Sequence, residues 1–215
     1  MVRNDICVAI ADQNLESIKR ILSEVALAEI RIDMLNLMPE ELNEVFSEHN
    51  NLIATCRPGR FDDNERAIIL ERALMHGAAY IDLEIDTPQV WREPLIKLAT
   101  ELDRKVIVSY HNFDTTPSDD ELDRIISTLW EAGADIPKLA CMANTNEESA
   151  RILNLYAKHK GIVALGMGKH GAVTRVAATP LGSPFTFASV NGKSTAPGQI
   201  DYLTLENILN SIESK

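Results

Sequence analysis

Eight short apolar runs, each followed by a longer stretch of helical periodicity, constrain this chain more than any other feature of it. The runs cover 6–11, 28–34, 52–57, 79–85, 106–111, 137–142, 162–168 and 185–190. Most are nearly continuous in aliphatic residues, as a strand must be when helices cover its sheet on both faces. Between them, Leu15, Ile18, Ile21 and Leu22 share one helical face, as do Ala67, Leu70, Ala73 and Leu74. Ile125, Leu129 and Ala132 repeat the pattern, and so do Ala150, Leu153 and Ala157. Asp12 is expected to cap the first helix, Thr116-Pro117-Ser118 to open the fifth, and Gly77 and Gly133 to close helices. A further helix is expected over 171–178.

Repeated βα units imply right-handed crossovers and a parallel sheet. An open doubly wound sheet carries a glycine-rich phosphate turn after its first strand, but here Ala9-Ile10-Ala11-Asp12-Gln13-Asn14 follows, without glycine. The expectation is therefore an α/β fold, a closed (βα)8 TIM barrel, with residues 1–215 forming one domain. No apolar run approaches the ~20 residues that span a bilayer, and the N-terminus does not look like a secretory leader. Cys7, Cys56 and Cys141 each lie in an apolar stretch, which reads as buried reduced thiols in the cytoplasm. A net charge of −11 argues against nucleic acid or an anionic membrane as partner. A small anionic ligand stays open, because arginines in a cleft decide that locally.

Function in such a barrel comes from polar side chains at the C-terminal ends of several strands. The second run reads Glu29-Ile30-Arg31-Ile32-Asp33, and period-two alternation puts its three charges on one face. Tyr80, Asp82 and Glu84 share a face of the fourth, with arginines, chiefly Arg31, as expected partners. Arg57 ends the third run, where its planar fork suits a carboxylate. His111 ends the fifth, either as an acid–base group or as a structural residue. Lys138 sits among apolar residues of the sixth. Burial beside cationic neighbours is one way a lysine is made nucleophilic; the alternative is a core ion pair with Glu29 or Glu84. Beyond the seventh run come Met167, Gly168, Gly171 and Arg175, a third candidate anion clamp. Phe187 and the segment 193–199, with Ser194, Thr195 and Gln199, lie in a Gly/Pro/Ser/Thr-rich stretch expected at the active-site rim.

Glu-Ile-Arg-Ile-Asp at 29–33, Ser-Tyr-His-Asn-Phe at 109–113, Ile-Pro-Lys-Leu-Ala at 136–140, Met-Gly…Arg at 167–175 and Ala-Pro-Gly-Gln at 196–199 occur in order on successive strands. Together they closely resemble type I 3-dehydroquinate dehydratase of the shikimate pathway, from about the second strand to Gln199. The resemblance implies that Lys138 forms a Schiff base with the C3 ketone of 3-dehydroquinate and that His111 is the general acid and base. It implies that Arg175 clamps the substrate carboxylate and that Glu29, Arg31 and Arg57 hold ring hydroxyls and the lysine's surroundings. Met167 and Phe187 would wall the ring, and Thr195 and Gln199 would close the lid. It implies no metal or organic cofactor, and a homodimer.

Two positions depart from the family pattern. The glutamate that pairs with the histidine, four residues after the Arg57 equivalent, is Phe61 here, which leaves Asp62, Asp63, Glu84 or water to orient His111. One extra residue precedes 196–199, so Ser194 and Thr195 compete for the substrate hydroxyl contact. Two other readings stand beside this one: a class I aldolase-type barrel acting on a sugar phosphate, and a ligand-binding homologue that has lost its chemistry. Arg175 suits a carboxylate better than a phosphate, and Phe61 is what suggests the third reading.

Overall fold

In a computed structural model, described over residues 3–11 and 13–213, the chain alternates strand and helix throughout. The order is β1 (Ile6–Ile10), α1 (Leu15–Leu22), β2 (Ala28–Arg31), α2 (Pro39–Glu48), β3 (Leu52–Thr55), α3 (Asp63–Met75), β4 (Tyr80–Glu84), α4 (Gln89–Glu101), β5 (Lys105–Asn112), α5 (Asp119–Glu131), β6 (Ile136–Met142), α6 (Asn146–Lys158), β7 (Val163–Met167), α7 (Gly168–Ala177), β8 (Thr186–Ala188) and α8 (Tyr202–Glu213). All eight strands lie in one parallel sheet ordered β7-β6-β5-β4-β3-β2-β1-β8. Pairing of β8 with β1 carries the sheet round into a (βα)8 TIM barrel. β1 and β3 are buried at every position, as strands between a packed interior and a ring of helices must be.

The eight apolar runs all become strands, and β5 keeps its polar end through His111 to Asn112, but three other strands stop short of the expected ends. β2 stops at Arg31, and Ile32–Met34 turns as a 3-10 helix instead of extending the strand. β3 ends at Thr55, two residues short of Arg57. β8 keeps only three of six expected residues. There the carbonyl of Phe187 accepts from Arg175 Nη1 at 3.4 Å, and Thr186 Oγ1 donates to the Arg175 carbonyl at 2.9 Å. Contacts from α7 thus bridge the seam between β7 and β8, where no registered strand pair is formed among the described residues.

Asn14 is the N-cap of α1, its side chain accepting from the Ser17 amide at 2.9 Å; the expected cap, Asp12, lies outside the described residues. Ser118 stands at the expected N-cap position of α5, without a side-chain cap hydrogen bond. Gly77 and Gly133 follow α3 and α5 with φ of +112° and +94°, the left-handed geometry that ends a helix. α7 begins at Gly168, three residues earlier than the expected segment. It lies unusually close to β7: a Cβ on Gly171 would stand 2.3 Å from the Gly166 carbonyl carbon, so only glycine fits. Thr174 Oγ1 accepts from the Gly166 amide at 2.7 Å, fixing the same contact.

Candidate active site

A cavity of about 380 Å³ opens at the C-terminal ends of the strands. At its base, β6 carries Lys138, only 5% exposed. Register places Lys138 beside Ser109 of β5, and Ser109 beside Glu84 of β4. Polar positions on neighbouring strands therefore meet inside the barrel while their alternate neighbours pack outward. Lys138 Nζ donates to Asp82 Oδ2 at 2.8 Å and to Glu29 Oε1 at 3.4 Å, and lies 4.2 Å from the Phe187 ring centroid. Thr55 Oγ1 donates to Glu29 Oε1 at 2.9 Å.

Arg57 joins this cluster from beyond β3. Its Nη2 binds Asp82 Oδ2 at 2.8 Å, its Nη1 binds Glu84 Oε1 at 2.7 Å, and Nη1 also donates to Ser109 Oγ at 2.8 Å. Ser109 Oγ in turn donates to Asp82 Oδ1 at 2.6 Å. Burial opposes ionisation of Asp82, but Arg57, Lys138 and His111 outweigh it and hold the carboxyl well below the usual carboxylate range. Burial likewise opposes the charge on Arg57, and Asp82, Glu84 and Glu29 more than offset it. The immediate partners of Lys138 are thus carboxylates, Glu29 as in the ion-pair alternative and Asp82 in place of Glu84, with Arg57 one carboxylate away.

The expected pairing of the β4 carboxylates with Arg31 does not form. Arg31 binds Asp33 two residues along, through Nη2 at 2.7 Å and Nε at 3.1 Å, because the 3-10 turn brings that carboxylate back towards the guanidinium. Arg57 takes the β4 pair instead. Arg31 still reaches the cavity wall.

His111 closes the cluster. Its Nδ1 lies 3.1 Å from Glu84 Oε2, and its ring stacks on Phe113 at 6.1 Å between centroids. Burial, with Arg57 and Lys138 nearby, lowers the imidazole pKa from its usual value, while Glu84 pulls it back up. The imidazole is therefore held mainly neutral at pH 7.

Across the cavity, Arg175 of α7 is 2% exposed. Among the described residues its side chain makes one weak hydrogen bond, to the Phe187 carbonyl, and its Nε makes none. With no carboxylate to offset burial, its pKa falls to about 10. Burying a guanidinium this way is costly, and an anionic group brought into the cavity would offset that cost.

Met167 and Phe187 line the walls, joined by Pro58, Ala140 and Leu165, which residue type alone did not single out. The rim is the 193–199 segment. Thr195 and Gln199 border the cavity, the Thr195 amide donating to Gln199 Oε1 at 2.7 Å. Ser194 instead donates to the Ala196 carbonyl at 2.6 Å and does not border the cavity. The segment is seated on α7, the Gly168 amide donating to the Pro197 carbonyl at 3.1 Å. All ten expected site residues therefore converge on one cavity. Asp82 and Ser109 bind the cluster from below, and the alternation of β4 had already placed Asp82 on the inner face.

Residues 6–215 match the family model for type I 3-dehydroquinase. This chain belongs to that family. It is 37% identical over 220 residues to the 3-dehydroquinate dehydratase of Methanococcus maripaludis strain C6, covering 97% of this chain and all of that one. The crystal structure of the 3-dehydroquinate dehydratase from Aquifex aeolicus superposes over the full length of both chains with a TM-score of 0.82 at 28% identity. That of the type I enzyme from Clostridium difficile, 24% identical, matches with a TM-score of 0.86 over all of this chain and 94% of that one. A type I 3-dehydroquinase is a hydro-lyase that dehydrates 3-dehydroquinate, and this chain carries that fold and family from end to end.

Proposed function

We propose that the chain dehydrates 3-dehydroquinate through an imine on Lys138, with His111 as general base and then general acid. The observation that carries this reading is that one cavity holds a buried amine and an imidazole on one side and, on the other, a buried guanidinium with a single weak hydrogen bond to a carbonyl among the described residues. The substrate has one carboxylate and one ketone, and Arg175 supplies the partner for the first. With the carboxylate held there, the ring lies across the cavity towards Lys138, walled by Met167 and Phe187.

Lys138 Nζ attacks C3 and the carbonyl oxygen leaves as water, giving an iminium that draws electrons from the adjacent C2–H bond. His111 Nε2 takes that proton and an enamine forms. The enamine electrons return to form the C1–C2 double bond as the C1 hydroxyl departs, and His111 returns its proton so that water leaves. Water then adds to the product imine, releasing 3-dehydroshikimate and the free amine. Arg31, Glu29, Arg57, Thr195 and Gln199 surround the ring hydroxyls.

The finer setting belongs to the same proposal. The family resemblance supports a homodimer, one catalytic domain over 1–215, and chemistry without added cofactor. The net charge of −11 and the three buried thiols support a cytoplasmic enzyme with no nucleic-acid partner. No helix among the described residues is long and apolar enough to cross a membrane. Reduction with borohydride during turnover tests the chemistry: the reduced substrate or product is expected on the peptide containing Lys138 by mass spectrometry. Turnover with no adduct, or an adduct on another residue, refutes it.

A further inference from the structure

The family resemblance implies a glutamate at position 61 to hold the histidine, and the phenylalanine here cannot serve. Phe61 lines a separate apolar cavity of about 350 Å³ between α2 and α3, together with Leu35, Leu37, Leu42 and Phe46. The Arg60 guanidinium lies over its ring at 4.9 Å. The next two carboxylates are already committed. Asp62 Oδ1 caps α3 by accepting from the Glu65 amide at 2.8 Å, and Asp63 Oδ1 binds Arg66 Nη1 at 2.8 Å.

We propose that Glu84 is the positioning residue for His111 in this chain, fixing the ring so that Nδ1 carries the proton and Nε2 faces the substrate. A carboxylate only accepts, so the 3.1 Å contact from Nδ1 to Glu84 Oε2 selects that tautomer. Glu84 is fixed in turn by its other oxygen, Oε1, at 2.7 Å from Arg57 Nη1. The result is a continuous polar chain that runs His111–Glu84–Arg57–Asp82–Lys138, with links of 3.1, 2.7, 2.8 and 2.8 Å. It joins the base to the amine through one guanidinium, so the two reacting groups keep their spacing as a unit. Glu84 also offsets Arg57, whose positive charge would otherwise make the imidazole a weaker base.

This inference rests on the imine reading, and its test separates the two. The charged groups that face His111 are Glu84 and Asp82 on β4, Arg57 beyond β3 and Lys138 on β6. Glu84→Gln removes the group that raises the imidazole pKa and leaves those that lower it. The acid limb of the kcat/KM profile is therefore expected at lower pH, with plateau kcat reduced about 100-fold, a typical share for a positioned acid–base group. KM should change little, and the borohydride adduct on Lys138 should persist, since imine formation precedes proton removal. Glu84→Asp keeps the charge and the Arg57 pairing, so its acid limb should stay near wild type and its rate within about tenfold of it. An unmoved acid limb with a near-wild-type plateau in Glu84→Gln overturns the assignment. So does Glu84→Asp behaving the same as Glu84→Gln in both rate and limb. Failure of the wild-type protein to form any adduct during turnover overturns the imine reading instead, whatever Glu84→Gln does.

Discussion

Replacing Arg175 with methionine should separate binding from stability in a direction opposite to most buried-charge substitutions. The side chain is almost wholly buried and has no counter-ion among the described residues. Burial lowers its pKa from the ordinary guanidinium value to about 10, so the charged form is destabilised by about 3 kcal/mol relative to water, at 1.36 kcal/mol per pH unit. The sign follows from a base with a folded pKa below its unfolded one. The unfolded chain binds more protons from about 10 up to the ordinary guanidinium range, so the penalty is fully present below that window, at any pH used for assay. Methionine, of similar length and uncharged, removes the penalty and keeps much of the packing. Arg175→Met is expected to unfold at the same temperature as wild type or higher by differential scanning fluorimetry. Two charge-assisted hydrogen bonds to a substrate carboxylate, at about 1.5–3 kcal/mol each, are lost at the same time. That corresponds to a fall in kcat/KM of about 10²- to 10⁴-fold, followed by the ultraviolet absorbance of the conjugated enone product. A variant that loses more than about 2 kcal/mol of stability while its KM stays at the wild-type value would show that Arg175 is a structural strut.

Three further outcomes follow from the geometry. Lys138→Met should lose more than about 10³-fold in kcat and form no borohydride adduct, with its circular dichroism unchanged; residual turnover near the wild-type rate would remove the nucleophile from the mechanism. Gly171→Ala puts a methyl 2.3 Å from the Gly166 carbonyl carbon, so α7 must move outward and carry Arg175 with it. It should cost about 1–3 kcal/mol in chemical denaturation and raise KM more than it lowers kcat, and an unaltered KM would show that the α7–β7 contact does not set the clamp. Asp82→Asn removes a carboxylate whose folded pKa lies below its unfolded value. Such a group stabilises the fold above its unfolded pKa and loses that contribution as pH falls through the folded one. The variant should be less stable than wild type at pH 7 and converge with it in acid, and a constant gap across that range in pH-dependent unfolding would contradict the ion-pair assignment.

The strands were legible because burial on both faces leaves an unbroken apolar run, and eight of these in alternation with helical periodicity admit few topologies. Their ends were less legible. At β2 the run 28–34 looks continuous, yet Arg31 has φ −81° and ψ 77°, and the chain turns at Ile32. Apolar character persists past the strand because Ile32 and Leu35 still pack inward. Inner-face polar residues were also legible, since period-two alternation distinguishes Glu29 and Asp82 from their aliphatic neighbours. Which of them meet was not. Asp82 and Arg57 are 25 residues apart, and nothing local prefers that pair to Asp82 and Arg31.

By itself, the order of residues determined the eightfold repeat, the inward charges, the lysine buried in an apolar strand and, through five short motifs, the family. Pairing between those charges was decided only by the tertiary structure, because it depends on strand register and on where each loop turns back. The same is true of the His111 contact to Glu84, reached across two hydrogen-bonded strands, and of the lack of a carboxylate beside Arg175 among the described residues, since which groups stay apart is a property of three-dimensional space alone.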